Sequence, residues 1–337
     1  KLFLPARVPH RKPEVTAVVP SWNQEQLLQT VLLDLFRQTH PLKEILVVDN
    51  GSRDASVEIA QQLGARVIPM GCNAGFCRAV NRGIEASTGD WVAVVNNDVR
   101  LQPDWLERLL DCAQAAGAWF ATGKMFQAGR PGRLDGAFDA LSRAACPWRC
   151  GHGRQDGPLW SAPQTISFAP LTAAILKRDL FTRVGLLDED FESYLDDVDL
   201  GLRCAAAGLH GQYVPDAVAT HQGSATLGEW HPRKVRLLAR NQLLLVAKHY
   251  PPNWLLRYGW PVLVGQLLWG IVALRHGAGW AWLRGKIEAL RLFGVIRGKA
   301  PRTPKVAAIL AASEGQLHRI QQQTGPDWYW RLYFALT

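Results

Sequence analysis

The chain has 337 residues, of which 48% are hydrophobic and 20% are charged, and its formal net charge is +9. This composition supports a sizeable buried core and excludes a disordered chain, a collagen and a bare coiled coil. At roughly 100–200 residues per domain, the length predicts two units or one large domain with a long appendage.

Charge and tryptophan content divide the chain into two regions. From residue 231 to the end there are 16 lysines and arginines against 3 acidic residues, whereas the residues before it contain 22 against 26. The basic part also contains 7 of the 14 tryptophans. Such asymmetry indicates regions that face different environments. We therefore expect an N-terminal extension (1–13), an α/β domain (14–230) and a basic helical region (231–337).

The cysteines and the N-terminal residues bear on the compartment. Six cysteines are few for this length, and residues 1–13 are basic and interrupted by three prolines, unlike a signal peptide. Reduced thiols in a cytoplasmic protein are therefore expected. The segment Cys146-Pro-Trp-Arg-Cys150-Gly-His152 resembles half of a zinc site, but no second ligand pair has suitable spacing. A loop with incidental cysteines is the preferred interpretation, and a structural zinc is the alternative.

Strand and helix patterns alternate over the first part of the chain. Apolar, β-branched runs predict strands at Val15–Val19, Ile45–Val48, Arg66–Pro69 and Trp91–Val95. Helical spacing of apolar residues follows the first three strands, and Pro103 opens a further helix. This order predicts a largely parallel, doubly wound α/β sheet.

The pattern changes beyond this part. Residues 130–165 are rich in Gly, Pro, Arg and Trp without periodicity, which predicts a loop-rich insertion. An acidic segment at 188–199 then runs into a helix, and short strands are predicted around Tyr213 and Val218. A basic helix from Arg233 to His249 begins the C-terminal region.

Short polar turns follow the predicted strands, at Pro20–Asn23, Asp49–Ser52, Gly71–Gly75 and Asn96–Asp98. Ligands bind at the carboxyl ends of parallel strands, and turns that open onto helix N-termini favour anions. A nucleotide with a pyrophosphate therefore suits this edge. Neither the Gly-x-Gly-x-x-Gly pattern of dinucleotide-binding proteins nor a P-loop pattern occurs, so those two classes are excluded.

Several acids and one histidine are candidates for chemistry. Asp98 follows a buried strand, where a carboxylate can hold a divalent cation, although an Asx-type turn is the alternative. Asp196, Asp197 and Asp199 lie at a predicted helix start, and capping explains only one or two of them. Three carboxylates so close repel one another unless a positive partner is near. His221 follows a short apolar strand, and a structural role is the alternative for it.

Six motifs together resemble glycosyltransferase family 2, and their residues are most similar to its bacterial rhamnosyltransferase-like branch. They occur in the family's order and spacing, so the ordered set is more specific than any one motif. The motifs are Val18-Val-Pro-Ser-Trp-Asn23, Ile45-Leu-Val-Val-Asp-Asn-Gly-Ser-Arg-Asp54, Asn73-Ala-Gly-Phe76 with Asn81-Arg-Gly83, Asn96-Asn-Asp98, Leu187-Asp-Glu-Asp-Phe191 with Asp196-Asp-Val-Asp-Leu200, and Val214-Pro-Asp-Ala217 with His221.

The resemblance implies a GT-A fold that binds a nucleotide-diphosphate sugar across the strand ends. The nucleotide-binding residues that it implies are Pro20, Ser21, Trp22, Asp49, Asn73 and Arg78. The Asp49 carboxylate can accept the N3–H of a pyrimidine, which uracil and thymine share. Val80 stands where many members have an arginine, so phosphate contact is expected from Arg78 or Arg82.

The resemblance also implies a divalent metal, Mg²⁺ or Mn²⁺, that stabilises the leaving diphosphate. Asp98 matches the last acid of the family's metal motif, whose first acid is an asparagine here, and His221 matches a histidine that binds the metal in some members. Asp197 matches the base that deprotonates the acceptor hydroxyl as it attacks the anomeric carbon, with inversion. Asp196 and Asp199 are expected to orient the acceptor or to support Asp197.

The C-terminal region contains a strongly apolar stretch from Trp254 to Leu274. Its uninterrupted part, between Arg257 and Arg275, has 17 residues, the lower limit for crossing a bilayer. Neighbouring tryptophans and cations suit the headgroup zone of an anionic membrane. They are Trp254, Trp260, Trp269, Trp280 and Trp282, with Arg257, Arg275, Arg284, Lys286 and Arg291. We expect helices that lie in the membrane surface; a true span, and a packed subdomain or homodimer interface, are the alternatives.

These features predict an inverting, metal-dependent glycosyltransferase, peripheral on the cytoplasmic face of the inner membrane or cytoplasmic. It would move a sugar, with rhamnose as a candidate, from a UDP- or dTDP-sugar to a hydroxyl of a bacterial surface glycan or lipid-linked glycan. A non-catalytic GT-A scaffold subunit of a glycan-assembly complex is the alternative. A nucleotidyltransferase would need a Gly-rich basic loop in place of Pro20–Asn23, and no nucleic-acid module is recognisable.

Overall fold

The computed structural model describes residues 12–223, 230–299, 303 and 305–337, so the predicted N-terminal extension lies almost entirely outside the described residues. The central feature is a mixed sheet. Its strands are β1 (Val15–Ser21), β2 (Glu44–Asp49), β3 (Arg66–Pro69), β4 (Trp91–Val95), β5 (Val99–Leu101), β6 (Phe120–Gln127), β7 (Leu134–Gly136), β10 (Gln164–Ile166), β11 (Ala173–Lys177) and β12 (Gly211–His221), while β8 (Asp139–Leu141) and β9 (Pro147–Arg149) form a separate hairpin.

Helices cover both faces of this sheet and continue to the C-terminus. They are α1 (Glu25–Phe36), α2 (Ser56–Gln62), α3 (Phe76–Ala86), α4 (Trp105–Ala115), α5 (Arg178–Val184), α6 (Asp196–Ala206), α7 (Pro232–His249), α8 (Trp254–Arg275), α9 (Gly279–Lys299), α10 (Val306–Thr324) and α11 (Trp328–Leu336). Apolar side chains of α1, α2 and α4 pack on one face, and those of α3, α5 and α6 pack on the other.

The four strands predicted in the first part of the chain are confirmed and form the parallel half of the sheet. β1 lies between β2 and β4, and β3 pairs with β2 at the edge. Every residue of β1 and β4 is buried, as expected for parallel strands that helices cover on both faces.

The other half of the sheet contains antiparallel pairs. β11 lies antiparallel between β4 and β6, whereas β12 runs parallel to β6. The two short strands predicted around Tyr213 and Val218 are a single strand, β12, whose register shifts between Val214 and Val218. Pro215 lies in this irregularity and has no N–H to offer a neighbouring strand. The α/β class is confirmed, and the sheet is mixed with mostly parallel strands.

Residues 130–165 consist of short strands joined by turns, and they pack in the protein interior. Phe138, Leu141 and Trp160 are buried in the same core as the sheet and the C-terminal helices. The backbone N–H of Leu141 donates to Ser313 Oγ of α10 at 2.7 Å. Because its strands have only three residues each, the segment shows no periodicity in the sequence.

The C-terminal helices share that core. Buried apolar residues of α7, α8, α10 and α11 join those of the sheet in one cluster. Among the described residues, α8 is the one helix that is long and apolar enough to cross a membrane, with mean hydropathy 1.2, and 44% of its most apolar window is buried inside the protein.

One cation assigned to the headgroup zone is in fact internal. Lys286 is buried and donates to the carbonyl of Ala239 at 2.7 Å, to Gln242 Oε1 at 3.1 Å and to Gln266 Oε1. Burial lowers the pKa of its ammonium group to about 7. Helical spacing places Lys286 on the inner side of α9, where the sequence alone does not distinguish it from its exposed neighbours.

Candidate active site

The ends of β1 and β2 bring two predicted nucleotide-binding residues together. Ser21 pairs with Asp49 in the register of these strands, and both side chains are buried. The Asp49 carboxylate accepts the backbone N–H groups of Gly51 at 3.2 Å and Ser52 at 3.1 Å, which fixes the turn after β2. A carboxylate has about four lone-pair sites, so Asp49 retains acceptor capacity for a base. Ser21 Oγ has no hydrogen-bond partner within the described residues.

The other predicted nucleotide-binding residues lie near this turn, and each has a different environment. Pro20 belongs to β1, and the neighbouring Trp22 ring is 36% exposed at the strand end. Asn73 Oδ1 accepts the backbone N–H of Gly75 at 3.2 Å and so shapes the turn before α3. Arg78, on α3, is paired with Glu189 at 3.0 Å. Contact with a phosphate would require Arg78 to leave this exposed pair.

A network of charged side chains lies beyond the end of β4; Asp98, Asp135 and Asp139 are buried, and His221 and Arg149 are half-buried. His221 Nε2, at the end of β12, is 3.3 Å from Asp98 Oδ2, and its Nδ1 is 3.1 Å from Asp135 Oδ2. Arg149 Nη1 contacts the same Asp135 oxygen at 3.3 Å, and Arg149 Nε donates to Asp139 Oδ1 at 3.4 Å. The structure therefore brings together the two predicted metal ligands and joins them to three charged residues of the 130–165 segment.

These contacts shift the pKa values of His221, Asp135 and Asp139. Burial alone would lower the pKa of His221, but hydrogen bonds to Asp135 and Asp98 outweigh it and raise the pKa to about 9. Burial alone would raise the pKa of Asp135, but the His221 hydrogen bond and the charge of Arg149 hold it well below the usual range. Burial raises the pKa of Asp139 to about 7 against the opposing charge of Arg149. The protonated His221 ring therefore donates its Nε2–H to Asp98 and its Nδ1–H to Asp135.

Oxygen atoms without hydrogen-bond partners lie beside these charged side chains. Asn96 Oδ1 and Asp98 Oδ1 are buried and have no hydrogen-bond partner among the described residues, and the same holds for Gln127 Oε1. Gln127 is aligned with His221 in the register of β6 and β12. Oxygen atoms of this kind are the ligands that Mg²⁺ and Mn²⁺ prefer. In the described ranges no cluster of three or more His, Cys, Asp or Glu side chains is arranged to hold a metal, so the fit depends on Asn96 and on oxygens of a bound ligand.

Asp197 is half-buried in the first turn of α6, and its Oδ1 accepts the N–H of Val198 at 2.8 Å. Burial raises the pKa of Asp197, and the positive charge of Arg149 opposes this effect. Burial together with the charge of Asp197 raises the pKa of the adjacent Asp196 well above the usual range. Two neighbouring carboxyl groups thus differ in environment, and Asp197 is the one stabilised as an anion by the Arg149 guanidinium.

Asp199 does not lie with the other candidate site residues. Its side chain is fully buried, forms ion pairs with Arg203 at 2.8 Å and Lys248 at 2.8 Å, and is hydrogen-bonded to His249 Nε2 at 2.7 Å. Burial would raise the pKa of Asp199, but the Arg203 charge and the His249 hydrogen bond lower it far below the usual value. The contacts therefore correct the expectation that Asp199 orients the acceptor: it connects α6 to α7.

Sequence reasoning missed Asp135, Asp139 and Arg149. The signal that could have found the two acids is their position in the otherwise apolar or small-residue stretch 134–141, where a carboxylate needs a buried partner. No comparable signal points to Arg149, because arginines are frequent throughout the segment.

The half zinc site is not supported by the geometry. Cys146 and Cys150 are free and buried, and burial raises the pKa of the Cys146 thiol to about 11. His152 Nδ1 instead lies 2.9 Å from the backbone carbonyl of Asp135. Among the described residues no group of three or more His, Cys, Asp or Glu side chains is arranged to hold a metal, here or elsewhere.

Comparison with known proteins identifies the family. Residues 16–184 match the model of "Glycosyl transferase family 2", which is half of the chain. The chain belongs to glycosyl transferase family 2. As a family 2 protein it is a glycosyltransferase, and the motif at Asn96–Asp98 and the turn at Asp49–Ser52 both lie within the matched residues.

Curated relatives of this family 2 chain act in glycan synthesis. It is 30% identical over 227 residues to the N-acetylglucosaminyl-diphospho-decaprenol L-rhamnosyltransferase of Mycobacterium tuberculosis, covering 60% of this chain and 73% of that protein. It is 28% identical over 224 residues to the O-antigen biosynthesis protein RfbC of Myxococcus xanthus, covering 64% of this chain and 18% of that protein. The similarity to a rhamnosyltransferase-like branch is thereby confirmed.

Two solved structures share the GT-A fold of this family 2 chain. The mannosyltransferase PcManGT from Pyrobaculum calidifontis, in complex with GDP-Man and Mn²⁺, superposes with a TM-score of 0.52 and 18% identity, over 97% of this chain and 87% of that one. GalNAc-T7 with UDP, GalNAc and Mn²⁺ superposes with a TM-score of 0.61 and 14% identity, over 93% and 58%. At these identities the likeness establishes the fold.

Proposed function

We propose that this family 2 glycosyltransferase is an inverting, metal-dependent enzyme that transfers a sugar from a UDP- or dTDP-sugar to a hydroxyl of a bacterial glycan acceptor. The observation that supports it most is the group of buried, unpartnered oxygens of Asn96 and Asp98 beside His221, at the same sheet edge as Asp49. Acids at the strand ends suit a nucleotide diphosphate when a divalent cation lies between them, because the cation attracts both the carboxylates and the phosphates.

The donor's nucleotide is assigned to the turn after β2. Asp49 would accept the pyrimidine N3–H, and the exposed Trp22 ring lies at the adjoining strand end. Ser21 Oγ, buried without a partner in the described part of the chain, is a further polar contact for the base or ribose. Asn73 and Arg78 would contact the phosphates of the donor. Arg78 would first have to separate from Glu189, so that its positive charge can face the phosphates.

Asp98, Asn96 and His221 would hold the metal, Mg²⁺ or Mn²⁺, and the diphosphate would complete its ligands. When bound, the cation supplies charge stabilisation to the departing diphosphate. Binding through His221 Nε2 needs a neutral ring, so His221 must release the Nε2 proton that faces Asp98 and keep the Nδ1 proton that faces Asp135. Asp135 then orients the ring through Nδ1, as carboxylates do behind metal-binding histidines.

Asp197 is proposed as the base that removes the proton of the acceptor hydroxyl. Its raised pKa makes it a stronger base than an ordinary exposed carboxylate. The positive charge of Arg149 opposes this rise and favours the ionised form of Asp197. One base and one displacement invert the anomeric centre.

The sugar and acceptor are narrower proposals. The M. tuberculosis relative is named as a rhamnosyltransferase that acts on a polyprenyl-diphosphate-linked sugar, which supports rhamnose and a lipid-linked acceptor for this chain. Burial and the charge of Asp197 raise the pKa of the adjacent Asp196, and in its protonated form Asp196 would donate a hydrogen bond to the acceptor or to its neighbour.

The donor proposal is tested by thermal unfolding of the full chain with a panel of nucleotide sugars and Mn²⁺. We expect UDP- or dTDP-sugars to raise Tm and purine-nucleotide sugars to have no effect, since binding to the folded state alone stabilises it. Stabilisation by GDP-sugars alone would contradict the assignment of Asp49 to a pyrimidine.

We further propose that the enzyme binds an anionic membrane through α8 and α9. Gln266 contacts Lys286, and Gly270 lies against the Trp282 ring, so the two helices run antiparallel. In each helix, exposed apolar residues directly follow the residues that contact the other helix. Each step along an α-helix turns the side chain by about 100°. Because the two helices run antiparallel, this turn brings the exposed apolar rows of α8 and α9 to the same side of the helix pair. This hairpin face comprises Leu256, Trp260, Leu263, Leu267, Ile271 and Leu274 of α8 with Trp280, Leu283, Ile287 and Leu290 of α9.

Charge supports a lipid partner for the hairpin face. Glu288 is the one acidic residue of α8 and α9, and it is paired with Arg236 at 2.5 Å. The exposed cations of these two helices are Arg257, Arg275, Arg284, Arg291 and Lys299, of which Lys299 pairs with Asp190 at 3.3 Å. An apolar face bordered by arginines, with Trp260 and Trp280 exposed on it, suits the interface of an anionic bilayer.

Flotation with liposomes tests this surface. The full chain should float with vesicles that contain phosphatidylglycerol and should float weakly with phosphatidylcholine alone. Leu263→Glu with Leu267→Glu should abolish flotation, because two carboxylates would enter the apolar face. Phe36→Glu, which changes an exposed apolar residue of α1, is the matched control. A dimer that the double substitution dissociates, without lipid binding by the wild type, would instead assign the face to self-association.

A further inference from the structure

Loop 192–195, which leads into α6, has an unusual backbone conformation. Glu192, Tyr194 and Leu195 have φ angles of 60°, 68° and 63°, in the left-handed region that residues with a Cβ disfavour. Asp196 and Asp197 follow directly at the start of α6. Such a conformation persists only where surrounding contacts hold it, and it often occurs at functional sites.

Asn241 of α7 provides the principal contacts. Its Nδ2 donates to the backbone carbonyls of Phe191 at 2.9 Å, Ser193 at 2.9 Å and Tyr194 at 2.7 Å. The side chain is fully buried. One amide group thus binds three carbonyls of the loop immediately before the proposed base.

Arg240 orients that amide and binds the rest of the loop. Its Nε donates to Asn241 Oδ1 at 3.0 Å, which turns the Asn241 NH₂ group towards the carbonyls. Its Nη2 donates to the carbonyls of Asp190 at 2.8 Å and Phe191 at 3.1 Å, and its Nη1 pairs with the Glu192 carboxylate. Arg240 is also buried, so these bonds are shielded from water.

The opposite side of the loop contacts the start of α3. The N–H of Cys77 donates to the Glu192 carbonyl at 3.0 Å, and the N–H of Phe76 donates to Ser193 Oγ at 3.3 Å. A Cβ on Gly75 would lie 3.1 Å from the same Glu192 carbonyl, so glycine allows this approach. The loop is therefore held between the Asn-Ala-Gly-Phe motif and α7.

We propose that Arg240 and Asn241 are positioning residues that set the location of Asp197 through loop 192–195. The inference rests on the proposed role of Asp197 as the base. It assigns to the C-terminal region a part in catalysis that is separate from membrane binding. A displaced base lowers the rate of the displacement without weakening binding of the nucleotide, because Ser21, Trp22 and Asp49 lie at the ends of β1 and β2.

Steady-state kinetics of Asn241→Ala test the proposal. We expect kcat to fall about 100-fold while the donor KM is unchanged. Arg297→Ala is the matched control, since Arg297 likewise donates to three backbone carbonyls, those of Ala247, Tyr250 and Pro251, away from the loop. It should lower Tm but leave kcat unchanged. Arg240→Lys keeps the buried charge but loses the Nε–H that donates to Asn241, and it should lower kcat about tenfold. This variant tests the proposal if Asn241→Ala does not fold.

The outcomes separate this inference from the proposed function. If Asp197→Asn is inactive while folded Asn241→Ala and Arg240→Lys keep the wild-type kcat, the positioning role is wrong and the base assignment stands. If Asn241→Ala and Arg297→Ala lose kcat equally, the effect is general destabilisation and the inference is overturned. If Asp197→Asn retains the wild-type rate, the proposed base is wrong, whatever Asn241 does.

Discussion

Asp197→Asn should lower kcat by about three orders of magnitude and leave nucleotide affinity unchanged. A positioned general base contributes about 10²–10⁴-fold, and an amide cannot accept the proton of the acceptor hydroxyl. The substitution preserves size, and the Asn oxygen can still accept the N–H of Val198 that Asp197 accepts at 2.8 Å, so the start of α6 should remain intact. The measurement is the rate of sugar transfer together with a calorimetric titration of the nucleotide.

Asp179→Asn is the control for that variant, because Asp179 also lies in the first turn of a helix, α5, but is exposed. It should transfer at the wild-type rate. Burial raises the pKa of Asp197, so the wild-type kcat should fall on acidification at a higher pH than an ordinary carboxylate would give, as the base gains its proton. Transfer by Asp197→Asn at the wild-type rate would remove Asp197 from its proposed role.

Asp98→Ala should weaken donor binding about 100-fold in the presence of Mn²⁺ and have little effect in its absence. Asp98 is the anionic member of the proposed metal-binding set, because Asn96 is neutral and His221 binds as a neutral ring. Loss of that charge should remove the metal-dependent part of the affinity. The measurement is a calorimetric titration of UDP and dTDP, with and without Mn²⁺.

Asp104→Ala provides the comparison, since Asp104 lies just before α4 and pairs with Arg108 at 2.5 Å on the surface. Its donor affinity should equal that of the wild type under both conditions. Unchanged affinity of Asp98→Ala with Mn²⁺ would contradict the assignment, and the unpartnered Asn96 and Asp98 oxygens would then need another explanation.

The nucleotide side of the site could be predicted from sequence because it depends on strand periodicity. Uninterrupted apolar runs located β1, β2 and β4, and the residues after them must meet at one edge of a parallel sheet. Ser21 and Asp49 are in register there, and Asp98 lies just beyond β4. These positions required no knowledge of tertiary packing.

The remainder of the site depends on packing that local patterns do not record. Asp135 contacts His221, and Arg149 contacts Asp135, from strands of three residues that are too short to show a period. Asp197 and Asp199 are two residues apart on α6, so they point in different directions, and only the position of α7 decides that Asp199 is the internal one. Removing one partner of such a buried pair costs about 3–5 kcal/mol, which gives Asp199 a structural reason to be acidic.

Release of nucleoside diphosphate from the donor is the most direct test that this fold is an active enzyme rather than a scaffold. The full chain is incubated with UDP- and dTDP-sugars and Mn²⁺, with and without a polyprenyl-diphosphate-linked sugar, and the free diphosphate is measured. We predict release that requires Mn²⁺, increases with the acceptor and disappears in Asp197→Asn. Binding of a donor without release of its diphosphate under any of these conditions would contradict a catalytic role and favour a scaffold.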